Sequence, residues 1–360
     1  MNQSGSPQGD LFVARKGRLA HARERARGRR RNVERPGNNA FEREQRREGW
    51  EKLIRKTIAK RSLETVLQPI VSLRDGRPAG LEALTRFNEQ PVHSPDVWFA
   101  EAASVGLGVE LEVTALMSAL VQLRQLPSNV YLSLNASVEA LTSEEFRTRL
   151  AEAPGERIVL ELTEHTGIPD YPVFERTIRG LRANGVRLAV DDAGAGYSSF
   201  RHVLKLKPDV IKLDISLTRG IDRDPARRAL GSALLTFGLD AYKASVIAEG
   251  VETEGEYRTL SELGFPLGQG YYLGRPARLT PSRQLALTRS VSTRQVDSPS
   301  GPFPSAWAAA ETPQGPNGVG TSQDCVPVHE EASSHRYDSR SELLALVTEV
   351  QSICEEAQTP

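Results

Sequence analysis

Apolar positions along this chain fall into three regimes. From about residue 47 to residue 280, short apolar runs recur at regular intervals, while the stretches on either side are polar. Runs rich in Val, Ile and Leu, bounded by Gly, Asp or Arg, predict strands. They lie at 66–73, 78–85, 130–135, 157–163, 186–191, 209–214, 245–249 and 267–273. Several are apolar at successive positions, as in strands covered on both faces. Helix-like segments fall between most of them, at 95–105, 109–125, 143–151, 170–184, 224–243 and 254–263.

This alternation predicts a parallel α/β sheet. One join departs from it. The first two runs are separated only by Arg74, Asp75, Gly76 and Arg77. An Asp-Gly pair between strands is a tight hairpin signal, so these two strands should be antiparallel. Eight strands at this spacing favour a closed (β/α)8 barrel with an inverted first strand over an open sheet. Ahead of them, residues 47–60 place Trp50, Leu53, Ile54 and Ile58 on one helical face, which predicts a helix packed on the barrel.

The flanks lack such patterns. Residues 1–46 read as a basic, disordered arm, with ten Lys/Arg against two Glu in 11–35. Residues 283–360 are dominated by Ser, Pro, Gly, Thr and Gln, and cannot bury enough apolar surface to offset their chain entropy. Within them, 340–356 carries Leu343, Leu344, Leu346, Val347, Val350 and Ile353 at helical spacing, which reads as a short transient helix or, alternatively, a docking helix for a protein partner. The barrel is therefore expected to occupy 47–282. The arm at 15–31 has almost no aromatics for base stacking, so specific nucleic-acid binding is not expected.

Formal net charge is zero, so the chain outside the arm is net acidic. The two cysteines, Cys325 and Cys354, both lie in the polar tail and suggest neither a disulfide framework nor a thiolate metal cage. No apolar run approaches the roughly 20 residues that span a bilayer. The first residues lack the apolar core of a signal peptide. A cytoplasmic protein is expected.

Chemistry gathers at the downstream ends of the strands. Glu82, Asn135, Glu161, Asp191, Asp192, Lys212, Asp214, Glu249 and Gln269 each fall at or near one. In an α/β barrel these ends converge on one face, where active sites are built. Crowded carboxylates repel one another unless a cation compensates them. Oxygen-only ligands suit hard ions such as Mg²⁺ or Mn²⁺, and there are enough for two. Two such ions suit attack of water on a phosphate ester. Gly194 and Gly196 do not make a dinucleotide fingerprint, because Ser199 stands where a third glycine belongs. They read instead as a loop that needs unusual backbone angles.

The segment QPIVSLRDGRPAGLEALTRF resembles the opening of an EAL domain, with Glu82-Ala83-Leu84 as the name-giving triplet. LSLNAS, ELTE, DDAGAGYSS, KLD, AEGVET and QGYYLGRP resemble the later motifs of that family, in its order, over roughly residues 50–280. The resemblance implies a phosphodiesterase that opens cyclic di-GMP to linear pGpG with two divalent metals, Mg²⁺ or Mn²⁺. It assigns Glu82, Asn135, Glu161 and Asp191 to the first metal and Asp192 to the second or to a bridge. Lys212, Glu249 and Gln269 become catalytic groups acting on water, metal or phosphate. Gln68, Leu84, Arg86 and Asp214 become nucleotide contacts. Glu164 would anchor the loop after Asp192, Glu252 would stand behind the site, and a homodimer is expected. Ala193 and Ala195 depart from the commonest family loop, which has Phe and Thr there. The competing readings are a silent EAL barrel that acts as a cyclic di-GMP receptor or interaction module, a different metal-dependent barrel enzyme, and an interaction protein using the basic arm on nucleic acid.

Overall fold

The Asp75-Gly76 turn joins two antiparallel strands, β1 (Leu63–Ser72) and β2 (Pro78–Phe87). They pair from Leu63 opposite Phe87 to Ile70 opposite Gly80, and Ser72 N donates to Arg77 O at 2.8 Å. The structure is a computed structural model, and it describes residues 38–90, 92–163, 167–194 and 203–292. After the hairpin come β3 (Tyr131–Asn135), β4 (Ile158–Thr163), β5 (Arg187–Ala193), β6 (Val210–Leu213), β7 (Ser245–Ala248) and β8 (Leu267–Gly268). Each runs parallel to its predecessor, and β8 returns antiparallel onto β1. The result is a closed eight-stranded barrel in sequence order, with β1 the inverted strand. The expected TIM-like fold is thus observed.

Among the described residues, the α-helices with both ends defined are α1 (Asn38–Lys60), α2 (Pro95–Ser104), α3 (Gly108–Leu123), α4 (Val138–Thr142), α5 (Glu144–Leu150), α6 (Tyr171–Ala183), α7 (Ile215–Thr218), α8 (Pro225–Thr236), α9 (Glu254–Glu262) and α10 (Pro281–Ser292). Their starts are written in side chains that satisfy the free N–H groups of a first turn. Asp170 accepts from Val173 N at 3.0 Å, Asp224 accepts from Ala226 N at 2.9 Å, and Thr253 with Glu256 forms a full capping box.

Five segments differ from the pattern-based expectation. Helix α1 begins at Asn38 rather than 47; residues 42–49 are exposed and nearly all polar, with no apolar period to detect. The short helices α4 and α7 were not anticipated; at one turn or so each, they are set by the caps Ser137 and Asp214 rather than by periodicity. Helix α10 runs past 282 to Ser292, and Ala286 and Leu287 are buried in the core. The last strand is two residues long instead of 267–273. Gln269 N still donates to Ala248 O at 2.9 Å, but Leu273 N and Gly274 N then turn back to Gly270 O at 3.1 and 2.9 Å. The basic arm at 15–31 and the segment 340–356 lie outside the described residues. Among the described residues, no helix is long and apolar enough to cross a membrane.

The barrel interior is layered. One layer holds Ile70, Tyr131, Val159, Ala189, Val210 and Ile247, all buried. Gly80 belongs to it because the Tyr131 ring occupies its side-chain space; a Cβ there would lie 2.4 Å from the ring. Side chains alternate along a strand, so the next inward residue is two positions away. Two positions toward the C-terminal rim, each strand changes chemistry: Glu82, Ser133, Glu161, Asp191, Lys212 and Glu249, with Gln68 at the matching level of the inverted β1. The apolar layer is the floor of the site. Outside the barrel, Trp98 stacks on Phe87 at 4.5 Å between centroids and meets Trp50 edge-on at 5.3 Å, which fixes α1 and α2 against the rim end of β2.

Candidate active site at the C-terminal rim

Lys212 is the centre of the polar layer. Its side chain is fully buried, and its Nζ lies 2.8 Å from Glu161 Oε2, 2.8 Å from Glu249 Oε1, 3.1 Å from Asp191 Oδ1 and 3.8 Å from Glu82 Oε2. Burial alone would push this ammonium toward neutrality, but Asp191, Glu161, Glu249 and Glu82 outweigh it and hold the pKa well above the usual lysine value. The lysine is therefore charged.

The other groups hang on this cluster. Asn135 Nδ2 donates to Glu82 Oε1 at 3.1 Å, and Gln269 Nε2 donates to Glu82 Oε2 at 2.5 Å. Ser133 Oγ donates to Glu161 Oε1 at 2.6 Å, a contact that sequence inspection missed. Its signal was available: Ser133 lies two residues before Asn135, on the same face of β3.

Asp191 and Asp192 are adjacent, so a regular strand would send them to opposite faces. A bulge prevents this. Val190 pairs with Ile211 and Ala193 with Leu213, which leaves the two aspartates opposite Lys212 alone. Asp192 takes φ 56°, a left-handed conformation that costs a non-glycine residue about 1 kcal/mol. Asp191, Asp192 and Glu249 consequently offer oxygens all within 4.8 Å of one another. Gly194 follows at φ 104°, the unusual angle expected of this loop, and a Cβ there would meet Leu217 at 2.4 Å.

The sequence-predicted nucleotide contacts lie along the hairpin. Glu82, Leu84 and Arg86 share one face of β2, and Gln68 stands directly opposite Glu82. Gln68 Nε2 donates to Gly274 O at 3.2 Å, tying the last loop to β1. Arg86 is half-buried; burial lowers its pKa, and the neighbouring Tyr271 and Glu82 oppose the shift. Asp214 is buried and already occupied as a cap, accepting from Ser216 N at 2.8 Å. Glu252 stands apart from the lysine cluster and pairs with Arg219 at 2.8 Å. Behind it, Glu256 accepts from Gly220 N, Glu252 N and Thr253 N at 2.9 to 3.0 Å, joining the loops after β6 and β7. The capping spacing of Thr253 and Glu256 was the sequence signal for this unpredicted residue. Glu164, Ala195, Gly196 and Ser199 lie outside the described residues.

Four carboxylates face one ammonium here, so the layer carries excess negative charge in a buried place. Burial first, then Glu82 and Asp191, push the Glu161 carboxyl up to about 7 from 4.5, against the pull of Lys212. Between those values the folded state holds more protons than the unfolded chain. The contribution of Glu161 to stability therefore falls as pH rises from 4.5 to about 7 and levels off above. Melting temperature measured against pH in a chelating buffer should show this decline, and Glu161→Gln should flatten it. An unchanged slope in that variant would refute the assignment.

Oxygen donors fit a hard divalent cation, which would supply the missing positive charge. Gln269 adds a buried Oε1 with no hydrogen-bond partner among the described residues.

Residues 51–276 match the EAL domain family. The chain is 29% identical over 231 residues to the probable cyclic di-GMP phosphodiesterase PdeD of Escherichia coli (strain K12), covering 62% of this chain and 43% of that protein. It is 30% identical over 248 residues to the bifunctional diguanylate cyclase/cyclic di-GMP phosphodiesterase MucR of Pseudomonas aeruginosa, covering 64% of this chain and 35% of that protein. The chain thus spans less than half the length of these curated relatives. Among solved structures, the PaMucR phosphodiesterase in complex with c-di-GMP superposes with a TM-score of 0.57 at 27% identity, over 66% of this chain and 99% of that one. Klebsiella pneumoniae BlrP1, in a manganese/cy-diGMP complex, gives 0.54 at 29% identity, over 60% and 56%.

Proposed function

From the premise that this chain belongs to the EAL domain family, we propose that it hydrolyses cyclic di-GMP to linear pGpG with divalent cations. The observation that carries the reading is the rim layer, in which four carboxylates surround one buried lysine. Glu82, Asn135, Glu161 and Asp191 would hold one Mg²⁺ or Mn²⁺, and Asp192, with Asp191 and Glu249 nearby, a second. The ions would acidify the attacking water and neutralise charge on the phosphate.

The chain's own groups divide the remaining work. Arg86 suits a phosphate oxygen, because its planar fork donates two hydrogen bonds. Gln68 and Leu84 border the nucleotide on the same face of the hairpin. Water attacks phosphorus, one ring P–O ester bond breaks, and the departing oxygen takes a proton. Glu249 is the most accessible carboxylate touching Lys212, its side chain 18% exposed, and is placed to receive the proton that water loses. Lys212 holds Glu161, Asp191 and Glu249 together and draws negative charge toward the floor of the site. Gln269 orients Glu82, and its buried carbonyl oxygen is available to water or substrate. The family resemblance implies that the functional unit is a homodimer.

The purified protein should convert cyclic di-GMP to pGpG in Mg²⁺ or Mn²⁺, resolved by chromatography, and a chelator should stop it. Binding of cyclic di-GMP without product over hours would replace this reading with that of a receptor.

A further inference from the structure

The turn that follows Asn135 is fastened from outside the barrel. Glu112, on α3, reaches a single residue of that turn with both oxygens. Its Oε2 accepts from Ser137 N at 2.8 Å, and its Oε1 accepts from Ser137 Oγ at 2.7 Å. Ser137 Oγ in turn caps α4, accepting from Ala140 N at 3.0 Å. Between the two, Ala136 N donates to Glu161 O at 3.1 Å. Every residue from Asn135 to Ser137 is thereby held, the first by Glu82, the second by β4 and the third by α3.

Glu112 is an unusual residue for its place. Its neighbours Leu111, Val113 and Leu116 on α3 are buried in the apolar core. Burial pushes its carboxyl pKa up, and the hydrogen bonds from Ser137 oppose that shift. Setting a carboxylate in such surroundings is costly unless its bonds compensate. The cap on α4 does not require it, because a serine hydroxyl caps a helix alone: Ser143 does so for α5, accepting from Phe146 N at 3.1 Å. What the carboxylate adds is control of Ser137 at its backbone N–H as well as its hydroxyl. That fixes the chain direction two residues after Asn135, whose side chain is exposed and held by one bond to Glu82.

Resting on the reading of this rim as a divalent-metal site, we infer that Glu112 is a positioning residue that holds the Asn135 amide in place as a ligand group. Outer groups that orient ligands typically change metal affinity 10- to 100-fold when removed. The test is Mn²⁺ binding by calorimetry, without nucleotide, alongside melting temperature in chelator, on the full chain. Glu112→Ala should weaken Mn²⁺ binding by about tenfold. Glu112→Gln, which keeps one acceptor, should fall between it and the unaltered protein. Ser143→Ala, which removes the comparable cap on α5, should lower the melting temperature and leave the Mn²⁺ isotherm unchanged. If Glu112→Ala does not fold, Glu112→Gln carries the test. Unaltered Mn²⁺ affinity in the Glu112 variants, or an equal loss in Ser143→Ala, overturns the inference while the metal site stands. Failure of the unaltered protein to bind Mn²⁺ overturns the metal site and the inference with it.

Discussion

Lys212→Met is expected to leave the protein without measurable turnover and to destabilise the metal-free form by about 3–5 kcal/mol, the usual cost of removing one partner from a buried ion pair. The reason is the imbalance around it. Glu161, Asp191 and Glu249 lie within 3.1 Å of the ammonium and Glu82 within 3.8 Å, and only Glu249 among them has appreciable exposure. Without the lysine, these groups must take up protons or part. A divalent cation bound at the rim would supply positive charge to the same carboxylates. Urea unfolding of the variant should therefore show a larger gain in stability on adding Mn²⁺ than the unaltered protein shows. Stability in chelator equal to that of the unaltered protein would contradict the central role given to Lys212.

Glu82→Ala should have the opposite balance of effects. Turnover should fall by on the order of 10²-fold or more, as when one well-placed group in a charged site is lost. The fold should persist, because removing one carboxylate from an excess of carboxylates relieves repulsion at Glu161. The contacts of Glu82 explain the activity loss. It accepts from Asn135 on one side and Gln269 on the other, so it joins the rim of β3 to the loop after β8. Circular dichroism and product formation on the same sample would check both halves. Full activity would remove Glu82 from the site, and a lost fold would show that its bonds outweigh the relief of charge.

These two residues also show how far the chain could be read without coordinates. The Asp75-Gly76 turn is local chemistry, so the inverted first strand was legible before any packing was known. The strand-end positions of Glu82, Glu161, Asp191, Lys212 and Glu249 followed from apolar runs that each end in a polar group. Barrel closure brings such ends to one rim whatever the helices outside do. The family motifs were legible for the same reason, being contiguous in the chain.

Contacts between distant segments were not legible in that way. Nothing local says that Asp192 leaves strand geometry, because the bulge exists only where β5 must keep register with β6 on both sides of it. Nothing local ties Glu112 to Ser137, or Ser133 to Glu161, since those bonds cross between separate elements. The extent of α10 likewise depends on Leu287 finding the core, and the last strand is cut short because the chain turns back at Gly270. Periodicity along the chain thus determined which side chains face the barrel interior and at what level, because alternation is a property of the strand itself. Tertiary structure decided which of them touch, and so which carboxylates share the single ammonium, because contact depends on register between strands remote in sequence.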